Sequence, residues 1–288
     1  MVKISTKIIP LILLFVLPNL VSISCLSGSS KRREEHEARE RIIREIEYGR
    51  LLAYQIVKKY PLLEDDKANF YVNKVGKSVA LFAGRTDIEY YFAILDTDSI
   101  NAFATPGGYI FITKGAIMLM KNESELAGVL AHEIGHVNCK HIMKELPPPR
   151  ETGSFVDRAA SLLVARGAVV SSAFSEVVNK AALLLFSKGY KRKDEFEADK
   201  YALYYTAETG YYPKGLVDFI KRVMKYKSKN STAVVYNTHP SSKDRIDALQ
   251  KTIIAENFDL KRPKVKDRYW NELGHLNKKE IRLSQQHE

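Results

Sequence analysis

Apolar residues recur with a helical period in the first part of the chain. They do so across Lys31–Lys59, and again in a segment that follows Glu64-Asp65-Asp66 and reaches about Gly84. The carboxylates of that acidic run favour a helix N-terminus, because they complement the positive end of the helix dipole. The period changes at Ile88–Leu95, where β-branched and aromatic residues predict a strand. We therefore expect two helices followed by a strand.

Two further β-rich segments predict a hairpin. Asn101–Ala104 and Tyr109–Thr113 flank the linker Thr105-Pro106-Gly107-Gly108. Proline presets φ for the second position of a tight turn, and glycine adopts positive φ at the third position without steric cost. The two segments are thus expected to pair as antiparallel strands.

The rest of the pattern is helical. Asn122 is suited to cap a helix with Glu125 three residues on, and the apolar period then runs to Leu146, before Pro147-Pro148-Pro149. Further helices are predicted in Phe155–Phe186 (two amphipathic helices), Lys191–Glu208, Lys214–Lys227 and Lys243–Glu256.

This order of elements predicts an α+β fold that is mostly helical, with a small mixed or antiparallel sheet beside the helix that follows Asn122. The main domain is expected at residues 41–256. Residues 257–288 are basic, contain Trp270 and show no pattern that we can interpret, so they are predicted to form a C-terminal tail.

The first residues resemble an export signal. Lys3 and Lys7 precede the apolar run Ile8–Leu17, which is too short for a membrane-spanning helix of about 20 residues, and this predicts a signal peptide at residues 1–24. Small residues before Cys25 resemble the bacterial lipoprotein signal, which predicts a lipidated Cys25 and a flexible tether within residues 25–40. Cleavage of an ordinary signal peptide nearby is the alternative.

The composition indicates a soluble globular protein with a basic surface. Apolar residues make up 45% and charged residues 27% of the 288 residues, and the formal net charge is +11. The basic residues are not interleaved with aromatic residues as in nucleic-acid modules, so an anionic membrane surface is favoured and no nucleic-acid partner is expected. Two cysteines do not form a disulfide framework.

One short motif carries the chemistry. His132 and His136 lie four residues apart in the predicted helix, so both imidazoles project from one face and can reach a single cation. Glu133 lies about 100° round the helix, where its carboxylate can reach a water molecule on that cation. Apolar flanks place the motif on a buried face, where unpaired histidines need partners. The spacing predicts one zinc ion per chain.

A third protein ligand is expected from the acidic helix downstream. Glu195 and Asp199 share a helix face, whereas Glu197 points about 200° away from Glu195. Glu195 is therefore the predicted ligand, and Asp199 is placed to hold an imidazole N–H. His141, nine residues after His132, is assigned to the opposite face of a continuous helix and excluded as a ligand. Cys139 is expected to be a buried free thiol.

These blocks together resemble a known family. The helix with His132-Glu133-Ile134-Gly135-His136 is preceded by Asn101–Thr113 and followed, about 60 residues later, by Glu195–Asp199, and Thr238–Ile246 extends the match. The chain resembles the HtpX and CaaX-prenyl-protease family of gluzincin zinc metallopeptidases, and most of all its small periplasmic lipoprotein members. The resemblance implies a zincin-like fold and a third zinc ligand from the first glutamate of the acidic motif.

The resemblance also implies roles for other residues. Glu133 acts as the general base and His239 lies near the metal, either as a catalytic donor to the oxyanion or as an inhibitory metal ligand. Arg245 organises the site through Asp199 or the substrate. Extended substrates are expected to pair with the edge strand formed by Ala102, Phe103 and Ala104, or with its hairpin mate.

The implied function is zinc-dependent endopeptidase activity on misfolded or misassembled proteins. The implied location is the periplasmic side of the bacterial cell envelope, with an outer-membrane lipid anchor at Cys25. The alternative is a zinc-containing chaperone or assembly factor whose proteolysis is suppressed by His239.

Overall fold

The computed structural model describes residues 13–146, 179–229, 239 and 243–284. The chain divides into two units between Arg44 and Glu45. The described part of the first unit belongs to helix α1, Leu13–Lys59, which continues into the second unit. None of the described helices combines the length and the apolar character that crossing a bilayer requires.

Part of the predicted export signal lies outside the described residues, which begin at Leu13. The backbone is helical at Cys25 and through residues 26–40, where the sequence predicts a flexible tether. Helix-forming charged residues account for this difference, and Arg33 Nε donates to Glu37 Oε1 at 2.9 Å one turn further along the helix. The boundaries at residues 24, 40 and 256 stay predictions.

The second unit contains one sheet and a series of helices. In chain order its elements after α1 are α2 (Asp66–Ala80), β1 (Tyr91–Leu95), β2 (Ala102–Ala104), β3 (Tyr109–Thr113), α3 (Lys114–Leu119), α4 (Glu123–Asn138), α5 (His141–Glu145), α6 (Arg192–Glu208), α7 (Gly215–Lys229), α8 (Lys243–Ala255) and α9 (Lys266–Ser284). A π-helical turn, Leu184–Lys188, precedes α6. The two helices predicted within Phe155–Phe186 lie mostly outside the described residues.

The predicted helix starts are confirmed by their caps. Asp65 accepts a hydrogen bond from the Ala68 amide at 2.9 Å and begins α2. Asn122 accepts one from the Glu125 amide at 3.2 Å and begins α4. Each cap satisfies an amide that has no partner within the helix, which explains why the two helices begin at these residues.

The sheet is small and mixed, with strand order β1-β3-β2. β2 and β3 form the predicted antiparallel hairpin, with Phe103 opposite Phe111, whereas β1 runs parallel to β3. The connecting 3₁₀ turn places Gly107 at φ 73° and Gly108 at φ 92°. A Cβ atom on Gly108 would lie 2.3 Å from the Glu89 carbonyl oxygen, so only glycine fits there. The hairpin prediction is confirmed.

Helix α4 is shorter than the sequence predicts. It ends at Asn138 instead of continuing to Leu146, because Lys140 adopts the left-handed conformation at φ 54°. The Asn138 side chain is held there by bonds to the Ala83 carbonyl at 2.8 Å and the Tyr205 hydroxyl at 2.9 Å. The chain then turns and begins α5 at His141, so the prediction of one continuous helix is wrong.

Helix α4 lies at the centre of the second unit and is buried from Glu123 to Val137. It packs most extensively against α6 and then α7, and its side also contacts β2. A Cβ atom on Gly135 would lie 3.1 Å from the Ala198 Cα atom, so the backbones of α4 and α6 approach each other closely at this point. The predicted α+β class, mostly helical with a small sheet beside this helix, is confirmed.

The C-terminal segment belongs to the second unit and packs against its other helices. Tyr269, Leu273 and Leu276 of α9 are buried, and their spacing is the helical period that the sequence analysis missed. The Tyr269 hydroxyl donates to the Ile117 carbonyl at 2.5 Å. Arg268 Nε donates to Glu123 Oε2 at 2.6 Å, so α9 is also tied to the first turn of α4.

Replacing Tyr269 by alanine is expected to lower the free energy of unfolding by about 3–5 kcal/mol, because the cavity left by a large buried ring closes only partly. Tyr269→Phe loses only the hydrogen bond and should cost about 1–3 kcal/mol. Phe70→Ala is the control, since Phe70 is 71% exposed, and should change stability by less than about 0.5 kcal/mol. Urea unfolding compares the three; equal losses for Tyr269→Ala and Phe70→Ala would contradict the packing of α9.

Candidate metal centre

Helices α4 and α6 bring two imidazoles and one carboxylate together. His132 and His136 project from α4 and Glu195 from the first turn of α6, and all three are buried. The two Nε2 atoms lie 3.0 Å apart. Glu195 Oε1 lies 3.4 Å from His136 Nε2, and Glu195 Oε2 lies 3.6 Å from His132 Nε2. The predicted facial arrangement of these residues is what the structure has.

These separations fit a tetrahedral metal ion. Ligand atoms about 2.0–2.2 Å from a tetrahedral zinc ion lie about 3.3–3.6 Å from one another. The separations between the donor groups here are 3.0, 3.4 and 3.6 Å, close to that spacing. The nitrogen and oxygen donors are those that zinc accepts in catalytic sites. The donor set of His132, His136 and Glu195 therefore fits the predicted ion.

His239 supplies a fourth donor atom at the same place. Its Nδ1 atom lies 3.0 Å from Glu195 Oε1 and 3.2 Å from His132 Nε2. Burial lowers the pKa of His239, but the carboxylates of Glu133 and Glu195 outweigh this, so the pKa lies above its ordinary value. Sequence reasoning placed His239 near the metal, and the structure brings it beside two of the predicted ligands, His132 and Glu195.

Glu133 lies beside this donor set. Its Oε1 atom is 3.6 Å from His239 Nε2, and its buried Oε2 atom has no hydrogen-bond partner among the described residues. Burial raises the pKa of Glu133, although His239 and His132 act in the opposite direction. A buried carboxylate oxygen with a free acceptor position is suited to bind a water molecule or a substrate proton.

Asp199 and Arg245 support the donor set. Asp199 Oδ1 lies 3.0 Å from His132 Nδ1, on the side of the ring that faces away from the other donors. Arg245 donates to both oxygens of Asp199, at 2.8 Å and 2.6 Å, and its Nη1 atom lies 2.7 Å from Glu195 Oε2. The positions expected for Asp199 and Arg245 from the sequence agree with these contacts.

The buried carboxylates are kept ionised by their cationic neighbours. Burial raises the pKa of Glu195, but His239 and Arg245 outweigh it and hold that pKa well below its ordinary value. Burial likewise raises the pKa of Asp199, and Arg245 more than reverses the effect. An ionised carboxylate acts only as an acceptor. This is the state that Glu195 needs to bind a metal ion and that Asp199 needs to accept from an imidazole N–H.

The second imidazole nitrogen of His136 contacts a residue that sequence reasoning set aside. His136 Nδ1 lies 2.8 Å from His141 Nδ1, and His141 Nε2 lies 3.1 Å from Glu197 Oε2. The placement of His141 on the opposite face is wrong, because α4 ends at Asn138 and the chain turns back. His141 is not part of the donor set itself. Burial lowers the pKa of His136 well below its ordinary value, which favours the neutral imidazole.

Two other residues near the site differ from expectation. Cys139 is a free thiol as predicted, but it is only partly buried, and burial raises its pKa to about 12. Tyr190 was not identified from the sequence, although its ring stacks on His136 with 3.9 Å between centroids. The Tyr190 hydroxyl is buried without a hydrogen-bond partner among the described residues. Its only sequence signal is that it lies shortly before Glu195.

The predicted substrate strand lies at the edge of the sheet. Within the described residues no strand pairs with the outer edge of β2. The side chains of Ala102, Phe103 and Ala104 are all buried, and Phe103 packs against Tyr60 and Phe186. The backbone edge, and not these side chains, is therefore the feature on which strand addition depends, and that role stays a prediction.

Known proteins match the greater part of this chain. Residues 66–253, more than half of the chain, match peptidase family M48. A putative beta-barrel assembly-enhancing protease of Vibrio cholerae is 28% identical over 208 residues, which cover 71% of this chain and 43% of that protein. The mitochondrial metalloendopeptidase OMA1 of Schizosaccharomyces pombe is 31% identical over 63% of this chain and 52% of its own length.

The metalloprotease LoiP of Escherichia coli is 29% identical over 54% of this chain and 60% of its own length. The chain thus spans less than two thirds of each of these relatives. The match covers α2 to α8 and includes the motif helix and the acidic helix. The resemblance that the motifs suggested is confirmed, and so is the zincin-like α+β fold class. The chain belongs to peptidase family M48.

Proposed function

We propose that this chain is a zinc-dependent endopeptidase of the bacterial cell envelope that hydrolyses peptide bonds in misfolded or misassembled proteins. The observation that carries the proposal is the buried set of His132, His136 and Glu195, whose donor atoms lie 3.0–3.6 Å apart, with Glu133 beside it. Membership of family M48 and the protease names of the relatives support it.

The ligands of one zinc ion per chain would be His132, His136 and Glu195. Bound zinc would supply Lewis-acid activation of water and of the scissile carbonyl. The neutral state of His136 and the ionised state of Glu195 are the forms in which these side chains bind metal.

Glu133 would act as the general base. Its Oε2 atom, which has no hydrogen-bond partner among the described residues, would accept a proton from the attacking water and then deliver that proton to the leaving amine. Burial supports this role, because a raised pKa brings the carboxylate closer to the range in which it both accepts and returns a proton.

His239 would donate a hydrogen bond to the oxyanion that develops on the scissile carbonyl. The nearby carboxylates favour the protonated imidazole, which is a donor at both nitrogens. Asp199 and Arg245 would hold His132 and Glu195 in place. The Asp199 carboxylate contacts His132 Nδ1, and the Arg245 guanidinium contacts both Asp199 and Glu195.

The substrates would be unfolded or extended polypeptides. A peptide strand pairing with the outer edge of β2 would run beside α4, because β2 contacts that helix. Folded proteins do not present such a strand, so misfolded or misassembled proteins are the proposed targets. A relative whose name refers to beta-barrel assembly supports a role in envelope protein quality control.

A second function is favoured by one observation. His239 Nδ1 lies within 3.2 Å of His132 Nε2 and 3.0 Å of Glu195 Oε1, where it would complete a four-donor set. In that arrangement the protein would bind zinc as a chaperone or assembly factor with suppressed proteolysis.

Glu133→Gln is expected to lower the rate of casein cleavage by about 10²–10⁴-fold, because the amide does not accept the proton of the attacking water. Zinc content should stay unchanged, since Glu133 lies beside the donor set. The matched control is Glu208→Gln, at the exposed end of α6, which should cleave casein at the unsubstituted rate. Purified proteins are compared by peptide release and elemental analysis.

Equal cleavage by the unsubstituted chain and Glu133→Gln would indicate a contaminating protease and contradict the proposal. Absence of cleavage by both, with zinc bound, would favour the chaperone function instead.

We further propose that residues 1–24 are a signal peptide, that Cys25 is lipidated at the head of residues 25–40, and that the protein faces the periplasm from the outer membrane. The basic residues near the N-terminus, the apolar run and the small residues before Cys25 support this. Residues 41–256 would form the peptidase domain. No nucleic-acid partner is proposed.

Palmitate labelling of bacteria that express the full chain tests the anchor. The unsubstituted chain should incorporate label and fractionate with membranes, because acyl chains on one residue provide stable anchoring. Cys25→Ser should lose both properties, whereas Cys139→Ser, the control, should keep them. Equal soluble release of the unsubstituted chain and Cys25→Ser would end the proposal.

A further inference from the structure

The two imidazoles of the donor set are supported in different ways. His132 contacts Asp199, a buried carboxylate that Arg245 holds in place. His136 contacts His141, whose far nitrogen contacts Glu197. The second arrangement is a chain of three side chains that leads from the donor set towards the surface, because the Glu197 side chain is 45% exposed.

The protons in this chain of side chains follow from the metal-binding role of His136. A neutral imidazole that presents the lone pair of Nε2 to a metal carries its proton on Nδ1. His136 Nδ1 then donates to His141 Nδ1 at 2.8 Å, so His141 must carry its own proton on Nε2. That nitrogen donates to Glu197 Oε2 at 3.1 Å. One assignment of protons satisfies all three residues.

The backbone builds this arrangement from the same elements that supply the ligands. The left-handed conformation at Lys140 ends α4 and turns the chain, so that His141 packs against His136 from the next helix. His141 is only 1% exposed, and its ring lies edge-on to His136 with 4.8 Å between centroids. Glu197 follows Glu195 by two residues on α6 and faces His141 from the other side.

We propose that His141 is a positioning residue that fixes the tautomer and the ring orientation of His136 for metal binding, and that Glu197 anchors His141. The proposal rests on the proposed function, since it assigns His136 to a bound zinc ion. Partners of this kind orient a metal ligand and raise its basicity, and their loss typically costs about 10–100-fold in metal affinity.

The same residues form a second potential donor group with Cys139, in which the donor atoms lie within 4.8 Å of one another. Cys139 and Glu197 of this group line a surface cavity of about 670 Å³. Two features argue against a separate metal ion there: His141 Nε2 uses its proton on Glu197, and Lys144 adds a positive charge beside Cys139 and Glu197. A positioning role therefore explains the group better.

The test uses the full chain and measures zinc affinity by competition with a chelator of known affinity. His141→Leu leaves the His136 Nδ1 proton without an acceptor and should weaken zinc binding about 10–100-fold. His141→Asn should recover most of the affinity, because its amide oxygen can take the place of the His141 Nδ1 atom as acceptor. Glu197→Gln keeps an acceptor but loses the charge, so a smaller loss of about 2–10-fold is expected.

Glu208→Gln, on the exposed end of the same helix as Glu197, is the matched control and should bind zinc as the unsubstituted chain does. At saturating zinc, His141→Leu should lower kcat for a casein peptide and leave KM within about twofold, because His141 orients the centre and does not contact substrate. Thermal unfolding of the zinc-free proteins compares their folding. If His141→Leu does not fold, Glu197→Gln decides: a loss of zinc affinity of about 2–10-fold supports the proposal, and an affinity equal to that of the unsubstituted chain overturns it.

Zinc affinities within twofold for His141→Leu and the unsubstituted chain would overturn the proposal, as would equal losses for His141→Leu and His141→Asn. Two zinc ions per chain, with one lost in Cys139→Ser, would replace it by a second metal site. An unsubstituted chain that binds no zinc would refute the proposed function itself. If the unsubstituted chain binds zinc and cleaves casein, and the His141 variants bind zinc with the same affinity, the positioning role alone is refuted.

Discussion

The close approach of α4 and α6 at Gly135 and Ala198 is the constraint on which the site depends. A Cβ atom on Gly135 would lie 3.1 Å from both the Cα and the carbonyl oxygen of Ala198, so a side chain at this position would require α6 to shift by a few tenths of an ångström. Glu195 and Asp199 lie on either side of Ala198 along α6, where their carboxylates reach the imidazoles of α4. The glycine within the histidine motif thus sets the distance between two halves of the donor set.

Burial makes this arrangement costly unless every charge has a partner. Glu195 and Asp199 lie in the interior, where an unpaired carboxylate would lose several kcal/mol of solvation. Arg245 contacts both of them, and the imidazoles of His136 and His239 contact the remaining oxygen, Glu195 Oε1. A divalent ion bound by this set would add positive charge that stabilises the surrounding carboxylates. Metal binding would therefore also stabilise the contact between α4 and α6.

Helical periodicity predicted the core of the site well. Spacing alone placed His132 and His136 on one face, and it chose Glu195 and Asp199 over Glu197, as the structure has them. It failed for His141 because the argument assumed one helix, whereas a single left-handed residue, Lys140, redirects the chain. Nothing in the residue type of a lysine signals that conformation, which glycine usually adopts.

Other differences have similar physical origins. The period of Tyr269, Leu273 and Leu276 was present in the sequence, but surrounding charged residues obscured it, and only the packing of Tyr269 against α3 reveals the helix as part of the fold. Tyr190 stacks on His136 although the two residues are far apart in the sequence. No spacing rule predicts such a contact from a single sequence. The hairpin left open which of its two strands forms the edge of the sheet, and the burial of the β2 side chains did not follow from the sequence either.

Anomalous diffraction at the zinc absorption edge, from crystals of the zinc-bound protein, tests the central claim most directly. The account predicts one zinc peak per chain, about 2.0–2.2 Å from His132 Nε2, His136 Nε2 and a Glu195 oxygen. A peak from which the Glu195 carboxylate lies beyond coordinating distance, or a peak at Cys139 instead, would contradict it.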